Sequence, residues 1–359
     1  MKNNIFDKIF ISLFLIFISF FTLSGIIIKD KETSETERRK LEQLPELNKK
    51  DILDKSYMED LDKYFLDQFP FRDDMRSLKA NFNYNILRQL DNNDITVKDK
   101  YIFKNEFPTN KESIDNFIEK TNNIIAKLPN KNIYLGIIPD KNYYIDDKLF
   151  LNIDYDYLYN KVKDETDTNF MDFRPTLKLS SYYRTDTHWQ QNKLKSVVNL
   201  LNKEMNLNNK WNYKMRKVRD FYGVYYGQSA LNIIPDTITY MTNDTILDAK
   251  VEYYGSDEIE IYINHKKSFD KYDIFLSGAE PFIKIKNFRA KEDRELVIFR
   301  DSFASSLTPL LLESYSKITL IDTRYIDSKN YKKLIEFKDQ DILFLYSTLI
   351  VNNSFTLKN

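Results

Sequence analysis

Two short segments hold residues that could do chemistry together. The first is YYRTDTHWQQN, Tyr182–Asn192, where Asp186 stands two places before His188. The second is VIFRDSF, Val297–Phe303, where Ser302 lies just past an apolar run. A serine hydroxyl becomes a nucleophile when a base takes its proton, and the base needs a carboxylate to orient it. An Asp-x-His pair supplies both from one loop if the chain turns locally. The chain has 2 histidines, so a histidine-dependent reaction must use His188 or His265. His265 sits in the charged stretch NHKKS and reads as a solvated residue. The bland alternative stays open: Ser302 as a helix cap and Asp186–His188 as an ordinary loop pair.

The elements around these residues bear on the choice. Leu296–Arg300 reads as a buried strand, followed by a helix to about Tyr315 and a strand at Ile318–Asp322. A second crossover has a helix around Tyr331–Glu336 and a strand at Ile342–Tyr346. Ile133–Ile138 is a continuous apolar run stopped by Pro139, as suits a strand covered on both faces. Strands alternating with helices predict a parallel α/β sheet. Ser302 then falls at the carboxyl edge of the sheet, where such folds place their sites. Backbone N–H groups at the start of the following helix could hold an oxyanion. Beyond His188, the spacing of Leu194, Val197, Val198, Leu201 and Met205 predicts one face of a helix. Residues 205–290 lose this rhythm and read as a possible β-rich insertion.

Composition narrows the function. Lys+Arg and Asp+Glu both number 54, which leaves no basic surplus for general nucleic-acid binding. With 0 cysteines there is no thiolate nucleophile, disulfide or cysteine zinc site. No metalloprotease, phosphate-loop or dinucleotide motif occurs, so no metal and no cofactor is expected.

Ile9–Ile28 is uncharged and about as long as the roughly 20 residues a membrane-spanning helix needs. It exceeds a signal-peptide core and lacks an A-x-A site, so an uncleaved anchor is expected over residues 1–28, with a cleaved signal as the rival reading. Lys2 and Lys8 precede it, while Lys29, Lys31, Arg38, Arg39 and Lys40 follow. That count places the following domain in the cytoplasm, but long domains translocate largely regardless of charge. Residues 29–100 read as a charged stalk and a helical segment, with a helix from Tyr57 broken at Pro70. Residues 101–359 are the expected catalytic domain.

TDTHWQ followed by FRDSF resembles the SGNH-like acetyltransferases that modify polysaccharides, as in the alginate O-acetyltransferase family. It also resembles the DHHW family of bacterial proteins, whose tetrad here reads Asp186-Thr187-His188-Trp189. ETERRKLEQLPEL, YFLDQFPFRD, GIIPDK, FLSGAEP and the run from Arg300 to Tyr325 resemble the DHHW pattern in order. Thr187 departs from the family name and matches the alginate-type pattern.

The resemblance implies an SGNH-like parallel sheet flanked by helices, with Ser302 as nucleophile, His188 as base and Asp186 as its orienter. The Asp–His pair then precedes the serine, the reverse of the usual SGNH order. The resemblance also implies a membrane-anchored, extracytoplasmic O-acyltransferase that acts on a cell-surface glycan. Its acetyl donor would be a multispanning membrane acyltransferase. An acetylesterase of a cell-wall glycan and a non-catalytic surface assembly protein are the alternatives. No separate Gly and Asn block for the oxyanion is present, so Gly278 in LSGAEP stands in beside Ser302. Arg184 and Arg300 flank the two motifs as candidate anion holders. Trp189, Tyr225 and Tyr226 are candidate sugar-packing aromatics, with FYGVYYG read otherwise as a packed strand pair.

Overall fold

The computed structural model describes the chain except residues 1, 35, 47–54, 90, 93, 130–131, 146–150, 255, 257–258, 263–269 and 359. Two units emerge: Met1–Asn93 with Tyr226–Ile233, and Asp94–Tyr225 with Ile234–Asn359.

In the first unit the uncharged run forms helix α1, Lys2–Ile27. Its segment Ile5–Ile27 is long and apolar enough to cross a membrane. Helix α2, Ser56–Asp67, stops short of Pro70, and α3 follows as Arg72–Asn85. The charged segment after α1 is folded back. Thr33–Ser34 pairs antiparallel with Arg39–Lys40. Arg39 grips Asp67 with two bonds of 2.7 and 2.5 Å. The Arg39 guanidinium holds the Asp67 carboxyl down at about 2, against the opposing effect of burial.

The second unit is built on an eight-stranded sheet. Its strands are β1 Ile133–Ile138, β2 Asn169–Asp172, β3 Lys250–Tyr253, β4 Ile259–Glu260, β5 Phe282–Lys286, β6 Glu295–Arg300, β7 Lys317–Ile321 and β8 Asp341–Ser347. Their spatial order is β4-β3-β5-β7-β6-β8-β1-β2. The five strands from β7 to β2 are mutually parallel. Strands β5, β3 and β4 add antiparallel pairs at one side.

Alternation along the central strands feeds two cores. On β6, Leu296 and Ile298 join one cluster, while Val297 and Phe299 join the other. On β8, Leu343 and Leu345 face the first and Ile342, Phe344 and Tyr346 the second. Helix α6, Lys195–Glu204, covers the first face with Val197, Val198 and Leu201. Helices α4, Lys111–Ile125, and α5, Tyr155–Glu165, cover the second through Phe117, Ile118, Leu158 and Val162. A strand buried on both faces has no polar alternate position, hence the unbroken apolar runs.

Three sequence expectations change in detail. The helix after Ser302 makes one α-turn, α7 Ala304–Leu307, then tightens to a 3₁₀ helix over Thr308–Ser314. Pro309 has no N–H to continue the α-helical ladder. The β7–β8 crossover holds only the short helix Ser328–Tyr331, capped by Asp327 and burying Tyr331. Part of 205–290 extends the main sheet as β3–β5, and part is a separate hairpin, Lys214–Phe221 with Asp236–Thr242.

Gly136 in β1 lies under Phe173. A Cβ at Gly136 would sit 2.5 Å from the Phe173 ring, which is fully buried and cannot step aside. Gly136→Ala should therefore destabilise the second unit by about 1–3 kcal/mol, as other overpacked cores do. The check is a lowered urea midpoint with an unchanged slope.

Candidate active site

Ser302 follows β6 at the carboxyl edge, on a turn set by the buried Asp301. Asp301 Oδ1 accepts the Phe303 N–H at 3.0 Å, and Oδ2 accepts the Ser347 N–H at 2.7 Å. The turn is thereby tied to the end of β8. No hydrogen bond holds the Ser302 N–H among the described residues.

The second motif forms a tight loop. Tyr183 N–H donates to the His188 carbonyl at 3.1 Å, and Gln190 N–H to the Ser181 carbonyl at 2.7 Å. This pinching turns Asp186 back on the residue two places ahead. Asp186 Oδ1 accepts the His188 N–H at 3.0 Å and lies 2.6 Å from His188 Nδ1. His188 Nε2 lies 2.8 Å from Ser302 Oγ. With a proton on Nδ1 shared to the carboxylate, Nε2 presents its lone pair to the serine hydroxyl. Tyr272 stacks on the imidazole at 3.9 Å and 10°, and Phe303 packs on it at 5.0 Å.

Asp186 needs further donors because it is fully buried. The Val224 N–H reaches its Oδ2 at 2.8 Å. Gly223 makes that approach possible: a Cβ there would stand 2.2 Å from the Thr185 carbonyl and 2.4 Å from Asp186 Cβ. Asp236 accepts from the Thr185 N–H at 2.8 Å and from its hydroxyl at 2.7 Å, while that hydroxyl also accepts the Gly223 N–H.

A buried amine supports the loop from below. Lys141 Nζ donates to the carbonyls of Tyr183 and Arg184, both at 3.1 Å, and of Asp186 at 2.7 Å. Tyr225 lies 5.2 Å from the ammonium. Burial pulls the Lys141 amine down to about 7, while Asp186, Asp236 and Asp140 pull the other way. Beside it, Asp140 accepts the Thr348 hydroxyl at 2.8 Å and the Tyr155 hydroxyl at 2.9 Å. The ends of β1 and β8 are joined there. Burial raises the Asp140 carboxyl, against the lowering effect of those donors.

The structure thus brings Ser302, His188 and Asp186 together. It engages the other candidates elsewhere. Arg300 is fully buried, with bonds to Ser305 Oγ at 3.1 Å and the Glu280 carbonyl at 3.0 Å. Arg184 is committed to Asp236 at 3.3 Å and to the Pro235 carbonyl. Trp189 is fully buried and donates to the Phe303 carbonyl and Ser306 Oγ, so it packs beneath the serine turn. Tyr225 is buried, and Tyr226 falls with the first unit. FYGVYYG leaves its strand at Phe221 and enters the short helix Val224–Ser229, so it is not a strand pair. Gly278 has φ +79° and lies against the Asp273 carboxylate. His265 lies outside the described residues. Sequence reasoning missed Lys141, Tyr272, Asp236 and Gly223. For Lys141 a signal existed, an Asp-Lys pair directly after a buried strand, whereas nothing local marks Tyr272.

The buried amine makes a pH prediction. Burial lowers the Lys141 pKa to about 7 in the folded protein, against the ordinary 10.5 of a solvated lysine. Between those values the unfolded chain holds more protons, so stability rises with pH. The penalty is complete below about 7 and absent above the unfolded value. Relative to Lys141→Met, wild-type stability should climb by a few kcal/mol from pH 7 to 10, on the order of 1.4 per unit. Urea midpoints across that range check it, and a flat difference would refute it. The same substitution should slow any reaction of Ser302, because the Asp186–His188 loop loses its anchor.

No family model and no curated protein matches the chain. Solved structures do. A DHHW family protein from Eubacterium siraeum is 19% identical with a TM-score of 0.59, over 74% of this chain and 95% of that one. Bacillus cereus PatB1, in a structure with a sulfonyl adduct, is 16% identical with a TM-score of 0.56, over 74% and 97%. A further PatB1 structure gives 17% and 0.57, over 72% and 96%. At such identities the likeness is one of architecture, and the chain shares the α/β fold of these proteins.

Proposed function

We propose that the chain is a serine O-acyltransferase, most simply an O-acetyltransferase, acting on a cell-surface polysaccharide outside the cytoplasm. The observation that carries the reading is the continuous relay from Asp186 through His188 to Ser302, with contacts of 2.6 and 2.8 Å. Ser302 Oγ attacks the acyl carbonyl of the donor while His188 Nε2 takes its proton. The Asp186 carboxylate stabilises the imidazolium that results. The Ser302 N–H is a donor for the developing oxyanion. Collapse expels the donor's leaving group with the proton from His188 and leaves an acyl ester on Ser302. A sugar hydroxyl then attacks that ester, giving its proton to His188, which passes a proton to the departing Ser302 Oγ, so that the sugar ester leaves and both groups are restored.

Transfer rather than hydrolysis rests on the resemblance of TDTHWQ and FRDSF to polysaccharide acetyltransferases. So does the expected donor, a multispanning membrane acyltransferase. The anchor reading is supported by the length and apolar character of α1. PatB1 carries a sulfonyl adduct, and reagents of that class are direct probes of an activated hydroxyl here.

A sulfonyl fluoride should label wild-type protein on Ser302 and leave Ser302→Ala unlabelled. Label on Ser305 or Ser306 would overturn the assignment. Asp186→Asn keeps the shape but reverses the tautomer, and should slow acyl-enzyme formation on the order of 10⁴-fold. Given an activated acetyl ester and a glycan oligomer, the full chain should acetylate the oligomer faster than it releases acetate. Acetate release indifferent to every glycan, with extra surface acetyl groups on cells lacking the protein, would establish the esterase instead. Unchanged behaviour of Ser302→Ala in cells would establish a non-catalytic role.

A further inference from the structure

The first unit has its own apolar surface, and one end of it lies along α1. Just beyond α1, Gln68 exchanges bonds with Lys31: its amide donates to the Lys31 carbonyl at 2.9 Å and its oxygen accepts the Lys31 N–H at 3.0 Å. Tyr64 donates to Asp30 at 3.0 Å. These contacts set α2 level with the end of α1. The next three residues then run back along the helix. The Pro70 ring lies 3.6 Å from where a Gly25 Cβ would stand. Phe69 stacks on Phe21 at 5.2 Å and 22°, and Phe71 on Phe20 at 6.0 Å and 6°.

Phe20 and Phe21 precede the end of α1 by about 10 Å at 1.5 Å per residue. If α1 spans a bilayer, Phe69 and Phe71 stand at the depth of its last turns. Both rings nonetheless remain 45% exposed in the protein. Phe71 holds φ 57°, a left-handed conformation that bulky residues seldom adopt without a compensating contact. From it a stripe continues along α3 through Met75, Leu78, Phe82 and Ile86, at helical spacing and all exposed. A contiguous apolar face of this kind next to a span has one ready solvent, the lipid that already surrounds the span.

We infer that the Phe69–Pro70–Phe71 turn and the apolar stripe of α3 enter the lipid interface beside α1, as a second, non-spanning membrane contact. The inference rests on the anchor reading of α1. Aromatic rings bring large apolar area to the boundary, and burial of such faces adds to the hold of the span without crossing the bilayer. It would also restrict rotation of the first unit about α1.

The absence of cysteine permits a clean test. Single substitutions Phe71→Cys, Phe82→Cys and Ile16→Cys are placed in the full chain, labelled with an environment-sensitive fluorophore and reconstituted in phosphatidylcholine–phosphatidylglycerol vesicles. Ile16 lies inside α1 and reports on the anchor alone. The expected result is blue-shifted emission at all three positions, quenched by brominated lipid and spared by iodide. A lipid signal at Ile16 with iodide quenching at Phe71 and Phe82 would overturn the second contact while leaving the anchor intact. Shielding of Phe71 and Phe82 from both quenchers would also overturn it, by showing a protein on that face. An iodide-quenched Ile16 would sink the anchor reading and this inference with it.

Discussion

The site depends on one buried amine. Lys141 sits three residues past the end of β1 and donates to the carbonyls of Tyr183, Arg184 and Asp186, in the loop that carries His188. The Arg184 carbonyl also accepts the Ile102 N–H at 2.8 Å, whereas the buried carbonyls of Tyr183 and Asp186 would be costly to leave unpaired. The ammonium answers that need and, by the same bonds, fixes where the imidazole points. Burial makes the charge expensive, as its lowered pKa records. The carbonyl dipoles and the nearby carboxylates of Asp186, Asp236 and Asp140 offset only part of that cost.

From Lys141 a closed circuit of hydrogen bonds runs around the carboxyl edge. Asp140, next to Lys141, binds Thr348 at the end of β8. Ser347, its neighbour, donates to Asp301 at the end of β6. Asp301 shapes the turn that holds Ser302, and Ser302 meets His188, which returns to the Lys141 loop. Three parallel strands and one loop are thus held in register by carboxylates that accept backbone and hydroxyl donors. Such a network transmits position. A displacement of β8 would reach both halves of the relay through these buried, paired groups.

The abundance of aromatic residues has a structural explanation in the same place. Tyr155 donates to Asp140, Tyr272 to Ser306, Tyr182 to the Pro139 carbonyl and Tyr159 to the Ile137 carbonyl. Each ring fills core volume while its hydroxyl satisfies a polar atom, near the end of β1 for Tyr155, Tyr159 and Tyr182 and in α7 for Tyr272. Burial raises the pKa of all four, so they remain neutral donors. Aromatic wealth here builds the floor beneath the relay. Trp189 and Tyr225, which looked from sequence like sugar-packing faces, belong to that floor.

The sequence by itself determined the parts that are written locally. Continuous apolar runs specify β1, β6 and β8, because a strand covered on both faces tolerates no polar alternate. Helical spacing specifies α6, and the Asp-x-His and strand-serine segments mark the relay. What pairs distant positions was not legible. Nothing near Tyr272 says that it stacks on His188, and nothing near Gly223 says that it must leave room for a bond to Asp186. Arg300 reads as a candidate anion holder beside a motif, yet the fold buries it fully. Such residues act through space, and their partners are chosen by how β6, β8 and the hairpin close around the loop. Periodicity reports a residue's own element, whereas the contacts that complete a buried polar site are settled only when separate elements meet.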